Sequence, residues 1–135
     1  MKLFFHEHGS LEARQAVDQA EGLATSQITL VETRSALATA VAIGRIDKPA
    51  QRTALREFGA LWAVAATIDV TVPILGRAAD LAESHVLRAY GAVHLASSLL
   101  LRDKREEVSF ACWDLELRAA AQAERVELLP AAPGP

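Results

Sequence analysis

Two carboxylates, Glu32 and Asp114, stand at the points along the chain where an α/β protein carries out its chemistry. Glu32 lies in the first turn or two of a predicted helix that follows a brief apolar segment at 23–25. Asp114 follows directly on an apolar run at 108–112 that is typical of a strand. Ligands bind such folds at the carboxyl ends of parallel strands, so both side chains are candidates for a site.

Each of these carboxylates also has a purely structural interpretation. Thr29 and Glu32 have the T-x-x-E spacing of a capping box, in which the glutamate reaches back to a free backbone N–H. Asp114 has the residue type and position of an N-cap, which accepts N–H bonds from the first turn of a helix. Because capping is a common use of such residues, the local pattern alone leaves both interpretations open.

The elements that must position Glu32 and Asp114 alternate between short apolar runs and longer helical patterns. The predicted helices cover 11–20, 28–43, 47–65, 73–84, 88–102 and 114–123, and the predicted strands cover 23–25, 67–72, 108–112 and 126–129. The helix at 88–102 has the clearest periodicity, with apolar residues at 92, 95, 96, 99 and 100. This alternation predicts a three-layer α/β domain with a short, mostly parallel sheet flanked by helices.

Composition and length favour one intracellular domain. The chain has 135 residues, 51% of them apolar, and a net charge of −3 that argues against nonspecific coating of nucleic acid. Cys112 is the only cysteine, so no intrachain disulfide can form, which fits the reducing cytoplasm. The sequence contains no run of about eighteen apolar residues, so we expect no membrane span. We expect one domain at 1–129 and a disordered Pro- and Ala-rich tail at 130–135.

Four segments of the chain carry the motifs of one known family: KLFFHEHGSLEARQAV, TSQITLVETRSALATAVAIGRI, ESHVLRAYGAVHLASSLLL and FACWDLELRAAA. In this order they resemble segments of the VapC-type PIN-domain ribonucleases. The second resembles the family's TLVE-like helix, and the third resembles a segment that usually reads L-R-x-Y-D-A-L-H-L-A. The fourth resembles a strand end that carries a late Asp. Because the resemblance spans almost the whole chain, it implies a PIN-like fold.

The resemblance implies the toxin half of a toxin–antitoxin pair. In this family four acids bind Mg²⁺ or Mn²⁺, and the metal activates a water that attacks an RNA phosphodiester. Glu32 matches the helix glutamate and Asp114 matches the late aspartate, so both are expected to be catalytic and metal-binding residues. The resemblance also implies a homodimer and a VapB-like antitoxin that crosses the active groove.

Two of the four acids do not carry over. Gly91 stands where the family has an aspartate. The other acid ends the family's first strand, which is central in the sheet, whereas this chain begins inside the segment that follows it. Without that strand, its neighbours should have exposed edges. Two explanations stay open: either the true start lies about fifteen residues upstream, or the chain is a catalytically dead relative. We expect weak or undetectable ribonuclease activity, with Mg²⁺ or Mn²⁺ weakly bound if at all.

Several basic residues are candidates for contact with RNA. Arg34, Arg88 and Lys104 each lie near an acid or a strand end, although an isolated basic residue on a helix is usually only solvated. His94 lies one turn after Gly91 and could assist a metal or a phosphate, or could merely border the core.

Two functions from different classes follow from the sequence. The first is a VapC-like toxin with a PIN-type, metal-dependent endoribonuclease fold that is impaired or inactive in this chain. The alternative is a non-catalytic PIN-like module that binds an antitoxin or a second copy of itself. Its binding surface would be formed by the apolar helices between Ile28 and Ala65.

Overall fold

Helices and strands alternate along most of the chain in a computed structural model that describes residues 3, 8–104 and 107–132. The helices are α1 Ser10–Gln19, α2 Ile28–Ala42, α3 Lys48–Val64, α4 Val72–His85, α5 Ala89–Lys104 and α6 Leu115–Ala123. The strands are β1 Ala24–Ser26, β2 Ala66–Ile68, β3 Ser109–Ala111 and β4 Glu127–Leu129. This order confirms the predicted helix-rich α/β class and is compatible with a PIN-like fold.

The strands form two separate parallel pairs. β1 pairs with β2, with Thr25 opposite Thr67, and β3 pairs with β4, with Phe110 opposite Leu128. Within the described residues no hydrogen-bonded strand joins the two pairs, so each strand has a partner on one side only. The expectation that a first, central strand is missing from this chain stays a prediction.

Helix α5 lies at the centre of the core. Its Leu95, Ala96 and Leu99 are fully buried. The core that surrounds them draws on α4 and α6 and includes Leu128 of β4, while Ile68 of β2 and Phe110 of β3 pack against it. Both strand pairs therefore contact the same core.

Capping residues set the starts of two helices. Asp47 accepts a hydrogen bond from the backbone N–H of Ala50 at 2.8 Å, and Pro49 occupies the first turn of α3 as predicted. Thr71 caps α4 in the same way, through the N–H of Ile74 at 3.5 Å. The predicted strand at 67–72 was therefore too long: β2 ends at Ile68 because Thr71 already begins the next helix.

No helix within residues 8–104 and 107–132 has both the length and the apolar character that a membrane crossing requires.

Arg118 is a buried cation that joins three parts of the chain. Its side chain is 4% exposed and lies in α6. The guanidinium donates to the carbonyls of Cys112 at 2.7 Å, Pro130 at 2.7 Å and Ala131 at 3.2 Å. It therefore holds the end of β3 and the residues after β4 against α6. Residues 133–135 of the tail that we expect to be disordered lie outside the described residues.

We expect Arg118→Leu to destabilise the fold. Three buried or half-buried carbonyls would lose their charged donor, which should lower the free energy of unfolding by about 2–3 kcal/mol. Urea denaturation followed by circular dichroism measures this. Arg56→Leu is the matched control because Arg56 lies exposed on α3. Equal stabilities for the two variants would show that Arg118 does not hold these segments together.

Candidate functional site

Glu32 and Asp114 line the same pocket, an open cavity of about 270 Å³. Glu32 lies in the second turn of α2, just after β1, and Asp114 directly precedes α6, just after β3. The carboxyl ends of the two strand pairs therefore meet at this cavity, as expected for parallel strands. We call it the site pocket; it is lined by Glu32, Leu87, Arg88, Tyr90, Gly91, His94, Asp114, Glu116 and Leu117.

Helix α5 contributes one face to the site pocket. Arg88 accepts the first backbone hydrogen bond of the helix, from the N–H of Ala92 at 3.0 Å. Gly91 and His94 follow at intervals of three residues. Residues three apart lie on the same helix face, so all three positions line the pocket together.

His94 is the partner of Glu32. The Nε2 atom of His94 lies 2.5 Å from the Oε2 atom of Glu32, and the two side chains are 24% and 31% exposed. Glu32 does not form the capping box that its spacing from Thr29 permitted. The helix begins at Ile28 with no side-chain cap, and the Thr29 hydroxyl instead contacts that of Thr25 at 2.7 Å.

Asp114 has two roles at once. Its Oδ1 atom accepts a hydrogen bond from the N–H of Leu117 at 2.9 Å, which is the predicted N-cap of α6. Its Oδ2 atom lies 3.1 Å from a guanidinium nitrogen of Arg88. The cap and the contact with α5 therefore use different oxygens of the same carboxylate.

Gly91 lies at the middle of the α5 face and carries no side chain. A Cβ atom built there would lie 3.6 Å from both Cδ atoms of Leu117, which is ordinary van der Waals contact. The backbone φ of Gly91 is not positive, so its conformation suits any residue. Neither packing nor backbone geometry therefore requires glycine at this position.

The other basic candidates do not meet at the site pocket. Arg34 lies exposed on α2 and is not among the residues that line the cavity. Lys104 lies at the far end of α5, about 24 Å along the helix axis from Arg88 at a rise of about 1.5 Å per residue. Of the three predicted RNA contacts, the structure places only Arg88 beside the carboxylates.

Two lining residues with polar groups, Glu116 and Tyr90, were not predicted from the sequence. Glu116 is in the first turn of α6, two residues after Asp114, and adds a third acid to the rim. Tyr90, 57% exposed, stands at the start of α5. Each lies two residues from a predicted site residue, Asp114 or Arg88, and this closeness in sequence is the signal that could have identified them.

The donor set does not fit a resident divalent cation. No group of three or more histidine, cysteine, aspartate or glutamate side chains converges on one point in the described part of the chain. Glu32 already contacts His94, and Asp114 already contacts Arg88. Mg²⁺ can be held by one or two carboxylates together with waters and phosphates, but such a site lacks a protein cage.

The comparisons with known proteins identify the family. No protein-family model matches the chain. "Ribonuclease VapC45" of Mycobacterium tuberculosis (strain CDC 1551 / Oshkosh) is 32% identical over 131 residues, which are 97% of this chain and 90% of that protein. "Ribonuclease VapC49" of Mycobacterium tuberculosis (strain ATCC 25618 / H37Rv) matches with the same identity and coverage. The chain therefore belongs to the VapC family of ribonucleases.

The thiol of Cys112, two residues before Asp114, is buried, and its Sγ atom contacts the carbonyl of Asp114 at 3.7 Å. Burial raises the pKa of Cys112 above its ordinary value of 9.0, because the thiolate would lose hydration. The folded state therefore prefers the protonated thiol. The resulting contribution to stability is complete below pH 9.0 and is lost as the pH rises through the higher folded pKa.

We expect iodoacetamide to alkylate folded Cys112 with a pH midpoint above that of the same chain in urea. Because the chain has one cysteine, the modified mass reports this residue alone. A folded midpoint at or below the urea value would contradict the raised pKa.

Proposed function

We propose that this chain is the toxin of a toxin–antitoxin pair, a VapC ribonuclease with weak or undetectable catalytic activity. One observation carries the proposal: Glu32 and Asp114 line one pocket at the strand ends, but each contacts a basic side chain. Gly91, which lines the same pocket, has no side chain that could bind a metal ion. The resemblance supplies the reaction, and the pocket supports the impairment.

Impairment follows from the chemistry of RNA cleavage. VapC ribonucleases in general depend on a divalent metal ion, which supplies an activated water and stabilises the charge on the phosphate. With Gly91 at the position of one expected acid, and with Glu32 and Asp114 each in contact with a basic side chain, Mg²⁺ or Mn²⁺ would bind weakly, and loose positioning costs reaction rate steeply. What remains in this chain is a pocket with Arg88 at its rim, suited to weak contact with a phosphate.

The expected partner is a VapB-like antitoxin, since VapC toxins in general pair with VapB antitoxins. Exposed apolar side chains on the α2–α3 hairpin support a binding surface there. Val31, Ile43 and Val64 are 65%, 70% and 74% exposed, which makes these apolar side chains of the two helices candidates for contact with a partner. The same surface favours the second candidate function, a non-catalytic module that binds an antitoxin or forms a homodimer in the cytoplasm.

An RNA cleavage assay with Mg²⁺ or Mn²⁺ tests the impairment. We expect little or no cleavage by the wild-type chain and no change in Glu32→Gln. Glu57→Gln is the matched control, because Glu57 lies exposed on α3 away from the site pocket. Metal-dependent cleavage that disappears in Glu32→Gln but persists in Glu57→Gln would establish an active enzyme and overturn the proposal.

Co-expression with a VapB-like antitoxin tests the partner. We expect a stable complex and at most weak growth arrest, relieved by that partner. Ile43→Asp should weaken the complex about tenfold or more, because it places a charge in the apolar surface. Leu11→Asp is the control on α1, where Leu11 is 67% exposed. Equal binding by the two variants would exclude the α2–α3 surface, and complex formation without any toxicity would favour the binding module.

A further inference from the structure

Two residues on one face of α5 contact the two carboxylates of the site pocket. Arg88 contacts Asp114 at 3.1 Å, and His94 contacts Glu32 at 2.5 Å. Gly91 lies between Arg88 and His94 in the sequence and lines the same pocket. The same helix face thus supplies a partner for each of these two acids.

We propose that the site pocket is closed to divalent cations by these internal partners, because Arg88 and His94 already contact the two carboxylates that a cation would have to bind. This inference rests on the proposed function and gives a structural cause for the impaired ribonuclease activity. It treats His94 and Arg88 as positioning residues that hold Glu32 and Asp114 in place.

The two contacts do not resist a cation equally. The Arg88 side chain is 82% exposed, so water screens its pair with Asp114, and that contact is easily displaced. Glu32 and His94 are both less than one-third exposed, and their separation is short. His94 is therefore the main competitor with a cation, and Arg88 contributes less.

Space and backbone geometry both permit a side chain at position 91. The nearest atoms to a new Cβ are the Cδ atoms of Leu117 at 3.6 Å, the flexible end of a partly buried side chain. Replacing glycine inside a helix also removes its entropic penalty. A carboxylate at this position would add an oxygen ligand to the pocket that Glu32 and Asp114 line, and oxygen ligands suit Mn²⁺ and Mg²⁺.

Titration with Mn²⁺ alone, followed by electron paramagnetic resonance, tests the proposal without any activity readout. We expect no saturable binding to the wild-type chain at micromolar Mn²⁺. Gly91→Asp should bind at least about tenfold more tightly, since it adds one charged oxygen ligand. Gly91→Asn is the matched neutral control and should not bind Mn²⁺ more tightly than the wild-type chain does. Adding Glu32→Gln to Gly91→Asp should remove the gain.

A second pair of variants tests the competitors in the otherwise unaltered chain, whether or not Gly91→Asp folds. His94→Ala should raise the affinity for Mn²⁺ severalfold, and Arg88→Ala should raise it less. A lower affinity in His94→Ala would instead show that the imidazole is a ligand and would overturn the proposal. Tight binding of Mn²⁺ by the wild-type chain, lost in Glu32→Gln, would overturn it equally.

The metal titration and the RNA assay test different claims, so one claim can be refuted without the other. RNA cleavage by the wild-type chain without Mn²⁺ binding would refute the proposed impairment but leave the closed pocket intact. Tight Mn²⁺ binding without cleavage would refute the closed pocket and leave the impairment to another cause.

Discussion

The burial of α5 is the interaction on which the rest of the structure depends. Two-stranded sheets are marginal in water by themselves, and each pair here consists of strands of only three residues. Both pairs contribute side chains to the core around Leu95 and Leu99, which are fully buried. Because α5 cannot rotate without exposing these residues, its opposite edge is fixed as well. The packing of the helix thus decides that positions 88, 91 and 94 line the site pocket.

That constraint explains the electrostatics of the pocket. Glu32, Asp114 and Glu116 bring three acids to one cavity, where like charges repel one another. In a metal-dependent nuclease a divalent cation would offset this repulsion. Here the same helix that fixes the geometry supplies a guanidinium and an imidazole within contact of two of the acids. Two of the three acids that line the cavity therefore contact a side chain of this helix face.

The sequence predicted features whose determinants are local. The periodicity of α5 and the Asp47–Pro49 start of α3 were correct because each depends on residues within two turns. The strand expected at 67–72 was too long because Thr71 serves better as a helix cap than as a strand residue. The partner of Glu32 was not predictable in this way. His94 is 62 residues away, and only the packing of α5 against β1 brings the two together.

Glu32 and Asp114 differ in what their presence implies. Asp114 caps α6 through Oδ1, and loss of such a cap typically costs about 1 kcal/mol, so stability alone favours an aspartate there. Its presence is therefore weak evidence for catalysis. Glu32 caps no helix, and its partner in the structure is another side chain of the pocket. The capping interpretation that the sequence allowed for both carboxylates thus holds for Asp114 and fails for Glu32, and Glu32 is the residue whose role depends on the pocket itself.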